Sequence, residues 1–271
     1  MNRAELSTGI SVAYEESGPA DGEPLLLLAP LGRDHSFVAA EAERFSSEFR
    51  CVSADCRGTG ETDRPESGYS IAQFAADAAA LLDEVGIESA HVAGTSMGSA
   101  IAMELAAGHP GRVRSLSLYT PWARTDVTLR EAFLMLRSLV LHATPAEVER
   151  AVSWIIFTSD YLERNWSELE HLIGETIEAS GYPPRHAYAG HFDASIGHDV
   201  LDRLGPVEVP TFILAGREDR FVPAHHAEQV HEAIAGSRLQ VLEGPGSSHA
   251  LTLERQEEFL DLAMAFLKLQ P

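Results

Sequence analysis

Short apolar runs alternate with helical segments along much of this chain, and this rhythm constrains the fold more than any other feature. The run LLLLA at residues 25–29 is typical of a strand buried on both faces of a sheet. Further strands are predicted at residues 10–18, 50–55, 89–94 and 113–121. Helices are predicted at 37–49, at 70–86, and from 97 to a stop at Gly108 and Pro110. Strands that alternate with helices form a parallel sheet with helices on both faces, so we predict an α/β fold.

The rhythm stops near Trp122 and resumes later. Residues 124–205 have helical patterns without a strand signal. Strands then return at 210–216 and 238–244, each followed by a helix. With 271 residues, the chain is predicted to be one α/β core, residues 1–123 and 206–271, interrupted by a helical insertion at 124–205.

The composition of the chain disfavours several classes of binding partner and cofactor. The formal net charge is −21, which disfavours binding to nucleic acid or to an anionic membrane. No signal peptide or membrane-spanning run is present, so we expect a cytoplasmic protein. Cys51 and Cys56 lack the C-x-x-C spacing and are expected to be reduced. Adjacent His225 and His226 match no common metal motif and are expected to be exposed, so we predict neither a metal nor a cofactor.

The sequence HVAGTSMGSAIAMELA at residues 91–106 contains a G-x-S-x-G motif centred on Ser96. A predicted strand precedes it and a predicted helix follows, which is the context in which this motif marks a nucleophile. The motif is short, and an ordinary tight turn is the alternative interpretation. A serine hydroxyl attacks a carbonyl only when a base takes its proton and donors stabilise the oxyanion.

Two later loops supply candidates for that base and its orienting acid. Asp219 follows the strand at 210–216, and His249 follows the strand at 238–244. Both strands belong to the parallel pattern, so both loops and Ser96 should lie at one edge of the sheet. We predict that His249 is the base and that Asp219 orients it, with Glu218 as the alternative acid.

Backbone N–H groups are the predicted oxyanion donors. One should be that of Met97, the residue after the nucleophile. The other should come from the loop after the first buried strand, where Pro30 has no N–H and Leu31 is therefore the candidate.

Four stretches together resemble the α/β-hydrolase fold along nearly the whole chain. They are LLLLAPLG at 25–32, DCRGTGET at 55–62, GTSMG at 94–98, and GREDRFVP followed by GPGSSHA at 216–250. The Pro-Leu-Gly turn is similar to the Ser-Leu-Gly turn of 3-oxoadipate enol-lactonases and related lactonases. The resemblance implies that residues 124–205 form a cap over the pocket, and that Asp55 and Arg57 are structural.

The predicted function is that of a serine hydrolase acting on a small-molecule carboxylic ester or lactone, including N-acyl-homoserine lactones and enol-lactones. The same motifs occur in C–C bond hydrolases, cofactor-free perhydrolases and non-catalytic ligand receptors, and these remain alternatives. Trp122, Leu136 and Trp154 are the predicted pocket residues. Arg33 and Arg124 could bind a substrate carboxylate, but both are expected at the surface. The sequence carries no signal of oligomeric state.

Overall fold

A computed structural model describes residues 1–270, which contain one eight-stranded sheet. The strands are β1 (Asn2–Glu5), β2 (Ser11–Ser17), β3 (Glu23–Leu28), β4 (Phe49–Ala54), β5 (Ala90–Thr95), β6 (Val113–Tyr119), β7 (Thr211–Gly216) and β8 (Arg238–Leu242). Their order is β1-β2-β4-β3-β5-β6-β7-β8. Only β1 with β2 and β2 with β4 pair antiparallel, so the predicted mostly parallel sheet is confirmed.

Ten α-helices connect or flank these strands. They are α1 (Ala39–Phe45), α2 (Ile71–Glu84), α3 (Met97–Gly108), α4 (Val127–His142), α5 (Pro145–Ile156), α6 (Ser159–Glu178), α7 (Arg185–Ile196), α8 (His225–Ala233), α9 (Leu251–Glu254) and α10 (Gln256–Leu267). Short 3₁₀ helices occupy His35–Val38 and Leu201–Arg203. Within residues 1–270, no helix combines the length and apolar character that a bilayer crossing requires.

Two elements differ from the sequence prediction. The helix predicted at 37–49 ends at Phe45, because Phe49 already pairs with Glu23 as the first residue of β4. The edge strand β1 was not predicted. Three of its four residues are exposed, so it lacks the apolar signal of a core strand.

Alternate side chains of β3 enter different halves of the core. Leu26 and Leu28 pack in the layer that contains α2 and α3. Leu25 and Leu27 pack on the opposite face, in the layer that contains α1 and α10. A strand covered on both faces needs apolar residues at every position, which accounts for the LLLL run.

Four helices, α4 to α7, lie between the end of β6 and the start of β7. Asp126 caps α4 by accepting a hydrogen bond from the Leu129 N–H at 2.8 Å. Thr144 and Glu147 form a reciprocal capping box at the start of α5. These helices fall within the predicted insertion, whose boundaries at 124 and 205 remain a prediction.

Candidate active site

Ser96 lies in the sharp turn between β5 and α3. Its φ of 54° and ψ of −115° are unusual for a residue other than glycine. The Ser96 N–H donates to the Tyr119 carbonyl oxygen at 2.8 Å and helps to hold this conformation. A Cβ at Gly94 would lie 2.3 Å from the Gly98 backbone, and one at Gly98 would lie 2.2 Å from the Leu28 oxygen. Both glycines of the motif are therefore required by close backbone packing.

Ser99 supports the same turn through its hydroxyl. Its Oγ lies 2.6 Å from the Gly94 carbonyl oxygen and accepts a hydrogen bond from the Tyr119 N–H at 3.0 Å. The side chain is completely buried. Ser99 thus links the start of α3 to the ends of β5 and β6, a role that its small size alone does not suggest.

A continuous chain of hydrogen bonds joins Ser96, His249 and Asp219. The Ser96 Oγ lies 2.9 Å from His249 Nε2, and His249 Nδ1 lies 2.8 Å from Asp219 Oδ2. All three residues are buried. They follow β5, β8 and β7, whose carboxyl ends lie at one edge of the sheet, as the parallel pattern predicts.

The backbone holds the Asp219 carboxylate in this orientation. Its Oδ1 accepts hydrogen bonds from the Phe221 N–H at 2.9 Å and the Val222 N–H at 2.7 Å, leaving Oδ2 for His249. The Phe221 ring packs edge-on against the His249 ring, with centroids 5.1 Å apart. Glu218, the alternative acid, is exposed, whereas Asp219 bonds the imidazole directly.

The two predicted oxyanion donors belong to the segments that follow β5 and β3. Met97 is the first residue of α3, and Leu31 lies in the turn after β3 and lines the same cavity as Ser96. Within residues 1–270, neither the Leu31 N–H nor the Met97 N–H donates to a protein acceptor. Both amides are therefore unpaired beside the serine hydroxyl.

His191 of α7 holds the turn that contains Leu31. The Gly32 N–H donates to His191 Nδ1 at 3.3 Å, and His191 Nε2 donates to the Arg57 carbonyl oxygen at 2.8 Å. Burial lowers the pKa of His191 to about 4, so the imidazole is neutral and can make both bonds. Sequence analysis missed this residue because nothing local connects a helical histidine to a turn 159 positions earlier.

A compact cavity of about 70 Å³ lies over the Ser96 hydroxyl. Leu136 lines it, as predicted. Its other apolar walls come from α5, α7, the Asp219 loop and α9, and include Val152, Ile155, Phe192, Phe221 and Leu253.

The prediction that Trp122 and Trp154 line the pocket is wrong. Trp122 is completely buried below the cavity, where its ring packs against Phe133 and its Nε1 donates to Thr125 Oγ1 at 2.9 Å. Trp154 is 59% exposed and lies under the Arg220 guanidinium. Adjacent positions of a helix differ by about 100°, so Val152 and Ile155 of α5 face the cavity while Trp154 points outward.

Arg33 also differs from expectation, because it lines the cavity rather than the surface. Its side chain is 22% exposed, and its Nη2 donates to Glu149 Oε2 at 2.5 Å. Burial is the largest single influence and opposes the charge on Arg33. The attraction and hydrogen bond of Glu149, together with Tyr188 and Tyr182, outweigh it and raise the pKa of Arg33. Arg124 is more exposed and pairs with Asp199 and Asp202, as a surface residue would.

A larger chamber of about 620 Å³, lined in part by α5 and α6, adjoins the cavity over Ser96. Arg33, Phe37, Ile156 and Leu253 line both spaces. The Arg33–Glu149 ion pair therefore lies at the junction between the small cavity over Ser96 and the larger chamber.

Comparison with known proteins agrees with this architecture. A family model described as the alpha/beta hydrolase fold matches residues 24–252. The "Putative carbamate hydrolase RutD" of Azorhizobium caulinodans is 29% identical over 261 residues, which are 93% of this chain and 97% of that protein.

Two solved structures are similar over almost the whole chain. The enol-lactonase from Burkholderia xenovorans is 26% identical with a TM-score of 0.89, covering 98% of this chain and 100% of that one. A thermophilic esterase from Thermogutta terrifontis is 25% identical with a TM-score of 0.84, covering 99% and 98%. The resemblance drawn from the sequence motifs is confirmed: the chain belongs to the α/β-hydrolase-fold family.

Proposed function

We propose that this protein is a serine hydrolase that cleaves a carboxylic ester or lactone through Ser96, His249 and Asp219. The observation that carries the proposal is the hydrogen-bonded chain from the Ser96 Oγ to His249 and Asp219, at the floor of an apolar cavity. Its geometry meets the requirement that nucleophile, base and orienting acid lie within hydrogen-bond distance.

In the proposed acylation step, His249 Nε2 takes the Ser96 proton as Oγ attacks the carbonyl carbon. The Leu31 and Met97 N–H groups donate to the oxyanion that forms. The tetrahedral intermediate then collapses and breaks the bond to the leaving oxygen, which receives the proton from His249. An acyl-enzyme remains on Ser96.

Deacylation repeats the sequence with water as the nucleophile. His249 takes a proton from water, the hydroxide attacks the acyl carbon, and the proton returns to the Ser96 Oγ. In a lactone the acyl group and the leaving oxygen belong to one molecule, so the protonated leaving group, now a hydroxyl, stays tethered to the acyl-enzyme until the acid is released. Asp219 stabilises the imidazolium in both steps.

The cavity supports an apolar group next to the scissile bond. Its walls are almost entirely hydrocarbon, whereas the larger chamber contributes the polar groups of Arg33, Glu149 and Tyr182. An ester with a small apolar acyl group and a bulkier or more polar remainder fits this division. The likeness to an enol-lactonase supports cyclic substrates in particular.

Carbamate hydrolysis is a second candidate, favoured by the curated relative named for that activity. A carbamate presents the same carbonyl carbon to Ser96, but its nitrogen donates electron density and weakens the electrophile. An apolar cavity offers that nitrogen no hydrogen-bond partner. We therefore rank the ester or lactone first.

Hydrolysis of p-nitrophenyl acetate and butyrate tests the nucleophile. Wild type should release p-nitrophenol catalytically, and Ser96→Ala should lose at least about a thousandfold in kcat. Ser138→Ala, which removes an exposed hydroxyl from α4, is the matched control and should retain the wild-type rate. Equal rates for wild type and Ser96→Ala would overturn the proposal and favour a ligand-binding role.

A substrate panel tests the bond type. It compares kcat/KM for simple lactones, enol-lactones, N-acyl-homoserine lactones, the matched open-chain esters and carbamates. If the protein is a lactonase, kcat/KM should be higher for a lactone than for its matched open-chain ester. Preference for carbamates would reverse the ranking.

A further inference from the structure

A second group of polar side chains lies outside the cavity lining. Asp126 caps the start of α4, and His225 and His226 are the first two residues of α8. Asp126 Oδ2 lies 3.6 Å from His225 Nε2 and 3.6 Å from His226 Nε2. One ligand atom from each of the three residues lies within 4.8 Å of the other two.

These separations are longer than hydrogen bonds, which rarely exceed about 3.2 Å between nitrogen and oxygen. They match the distance between two ligands of one tetrahedral ion, roughly 3.3–3.6 Å for bonds of about 2.0–2.2 Å to Zn²⁺. Asp34, His35 and Asp55 form a contrasting cluster. There His35 Nδ1 lies 2.8 Å from Asp55 Oδ1, an ordinary hydrogen bond.

His226 gives independent evidence for a missing ligand. The residue is 1% exposed, and its Nδ1 has no hydrogen-bond partner among residues 1–270. Its Nε2, the nitrogen near Asp126, lies 3.6 Å from Asp126 Oδ2, outside hydrogen-bond distance. A buried imidazole without a partner is costly.

The other two residues are arranged as ligands. Asp126 Oδ1 accepts the Leu129 N–H at 2.8 Å, which orients the carboxylate and leaves Oδ2 directed at the histidines. The His225 side chain is 51% exposed, so solvent can reach the cluster and water can supply a fourth ligand. The expectation that both adjacent histidines are exposed is therefore wrong for His226.

We propose that Asp126, His225 and His226 bind a divalent first-row transition metal ion, with Zn²⁺ as the reference ion. Two imidazoles and one carboxylate suit Zn²⁺, Co²⁺ or Ni²⁺, whereas Mg²⁺ and Ca²⁺ prefer all-oxygen ligands.

Such an ion would join the start of α4 to the start of α8. Helix α4 carries Phe133, whose ring packs against Phe221 with centroids 5.3 Å apart, and Phe221 packs against His249. It also carries Leu136, which lines the catalytic cavity. Metal binding at Asp126 therefore stabilises the cavity wall without contacting the reacting atoms.

Calorimetric titration of the metal-free, untagged full chain with Zn²⁺ tests the proposal. We expect one equivalent to bind, and bound Co²⁺ to give the intense visible absorption of four-coordinate cobalt. His225→Ala should weaken Zn²⁺ binding about tenfold or more, and so should Asp126→Asn, because asparagine still caps a helix but lacks the anionic oxygen. His171→Ala removes an exposed histidine of α6 and should bind like wild type.

The melting temperature gives a second readout that does not depend on hydrolysis. Zn²⁺ should raise it in wild type and His171→Ala but not in His225→Ala. His225 is exposed, so its variant should match wild type without metal. The proposal is overturned if wild type takes up no stoichiometric Zn²⁺, or if His225→Ala and Asp126→Asn bind as tightly as wild type.

Discussion

The Arg33–Glu149 ion pair should contribute measurably to folding because both partners are shielded from water. The Glu149 side chain is 2% exposed and that of Arg33 is 22% exposed. Glu149 Oε1 also accepts hydrogen bonds from the hydroxyls of Tyr182 and Tyr188, each at 3.2 Å. Neutralising the carboxylate therefore affects three neighbouring donors together.

Glu149→Gln preserves shape but removes the charge opposite Arg33. Removing one partner of a buried pair typically costs about 3–5 kcal/mol, and we expect about 3 kcal/mol because Arg33 keeps 22% of its exposure. Arg33→Met should cost a similar amount by leaving Glu149 unpaired. In the double variant Arg33→Met/Glu149→Gln no charge remains, so the total loss should be well below the sum of the single losses.

Urea unfolding of wild type, the two single variants and the double variant measures these free energies, and a fifth protein serves as the control. The control is Arg124→Met, which breaks exposed ion pairs with Asp199 and Asp202 and should cost no more than about 1 kcal/mol. The reasoning is refuted if Glu149→Gln costs no more than this control. It is also refuted if the losses at positions 33 and 149 simply add.

Other predictions concern the turns around Ser96 and the response to pH. His191→Phe keeps an aromatic ring but leaves the Gly32 N–H and the Arg57 carbonyl unpaired, so kcat on p-nitrophenyl butyrate should fall roughly 10- to 100-fold with little change in KM. Gly98→Ala should prevent normal folding, read by circular dichroism, because its Cβ would lie 2.2 Å from a backbone oxygen. His191 and His198, with pKa values lowered by burial to about 4, resist protonation in the folded state, so they favour unfolding as pH falls below 6.5. Burial raises the pKa of Glu41 to about 7, so protonation of this carboxyl stabilises the folded state as pH falls from 7 to 4.5. The two histidines together outweigh this single opposing group. The free energy of unfolding, measured by urea titration at each pH, should therefore fall by about 1.4 kcal/mol per pH unit from pH 6 to 5. A rise over this range would contradict the lowered pKa values of the two histidines.

The predicted triad illustrates how far local patterns reach. Ser96, Asp219 and His249 were each identified from a motif or a loop after a strand, and one rule about parallel sheets predicted that they meet. Their 2.8 and 2.9 Å contacts agree with that prediction. The rule succeeds because the direction of the strands fixes which loops share an edge.

The cavity wall illustrates where such patterns stop. Leu136 lines the cavity, whereas Trp122 and Trp154 do not, although all three looked equally suitable as large apolar residues. Leu136 and Trp154 differ in the direction they face because packing between helices fixes the rotation of α4 and α5, while Trp122 lies in the segment after β6 and is buried against Phe133. Arg33 was misjudged because its buried partner Glu149 is 116 positions away, and no local pattern connects the two.

By itself the sequence determined the α/β class, the turn at Ser96 and the order of the triad, because these depend on periodicity, on glycine sterics and on strand direction. Tertiary structure alone decided that His191 holds the turn that contains Leu31, that Arg33 faces the cavity, and that His225 and His226 meet Asp126. These contacts join residues far apart in the chain. Their distances are set by how whole elements pack, and no local pattern of residues encodes that packing.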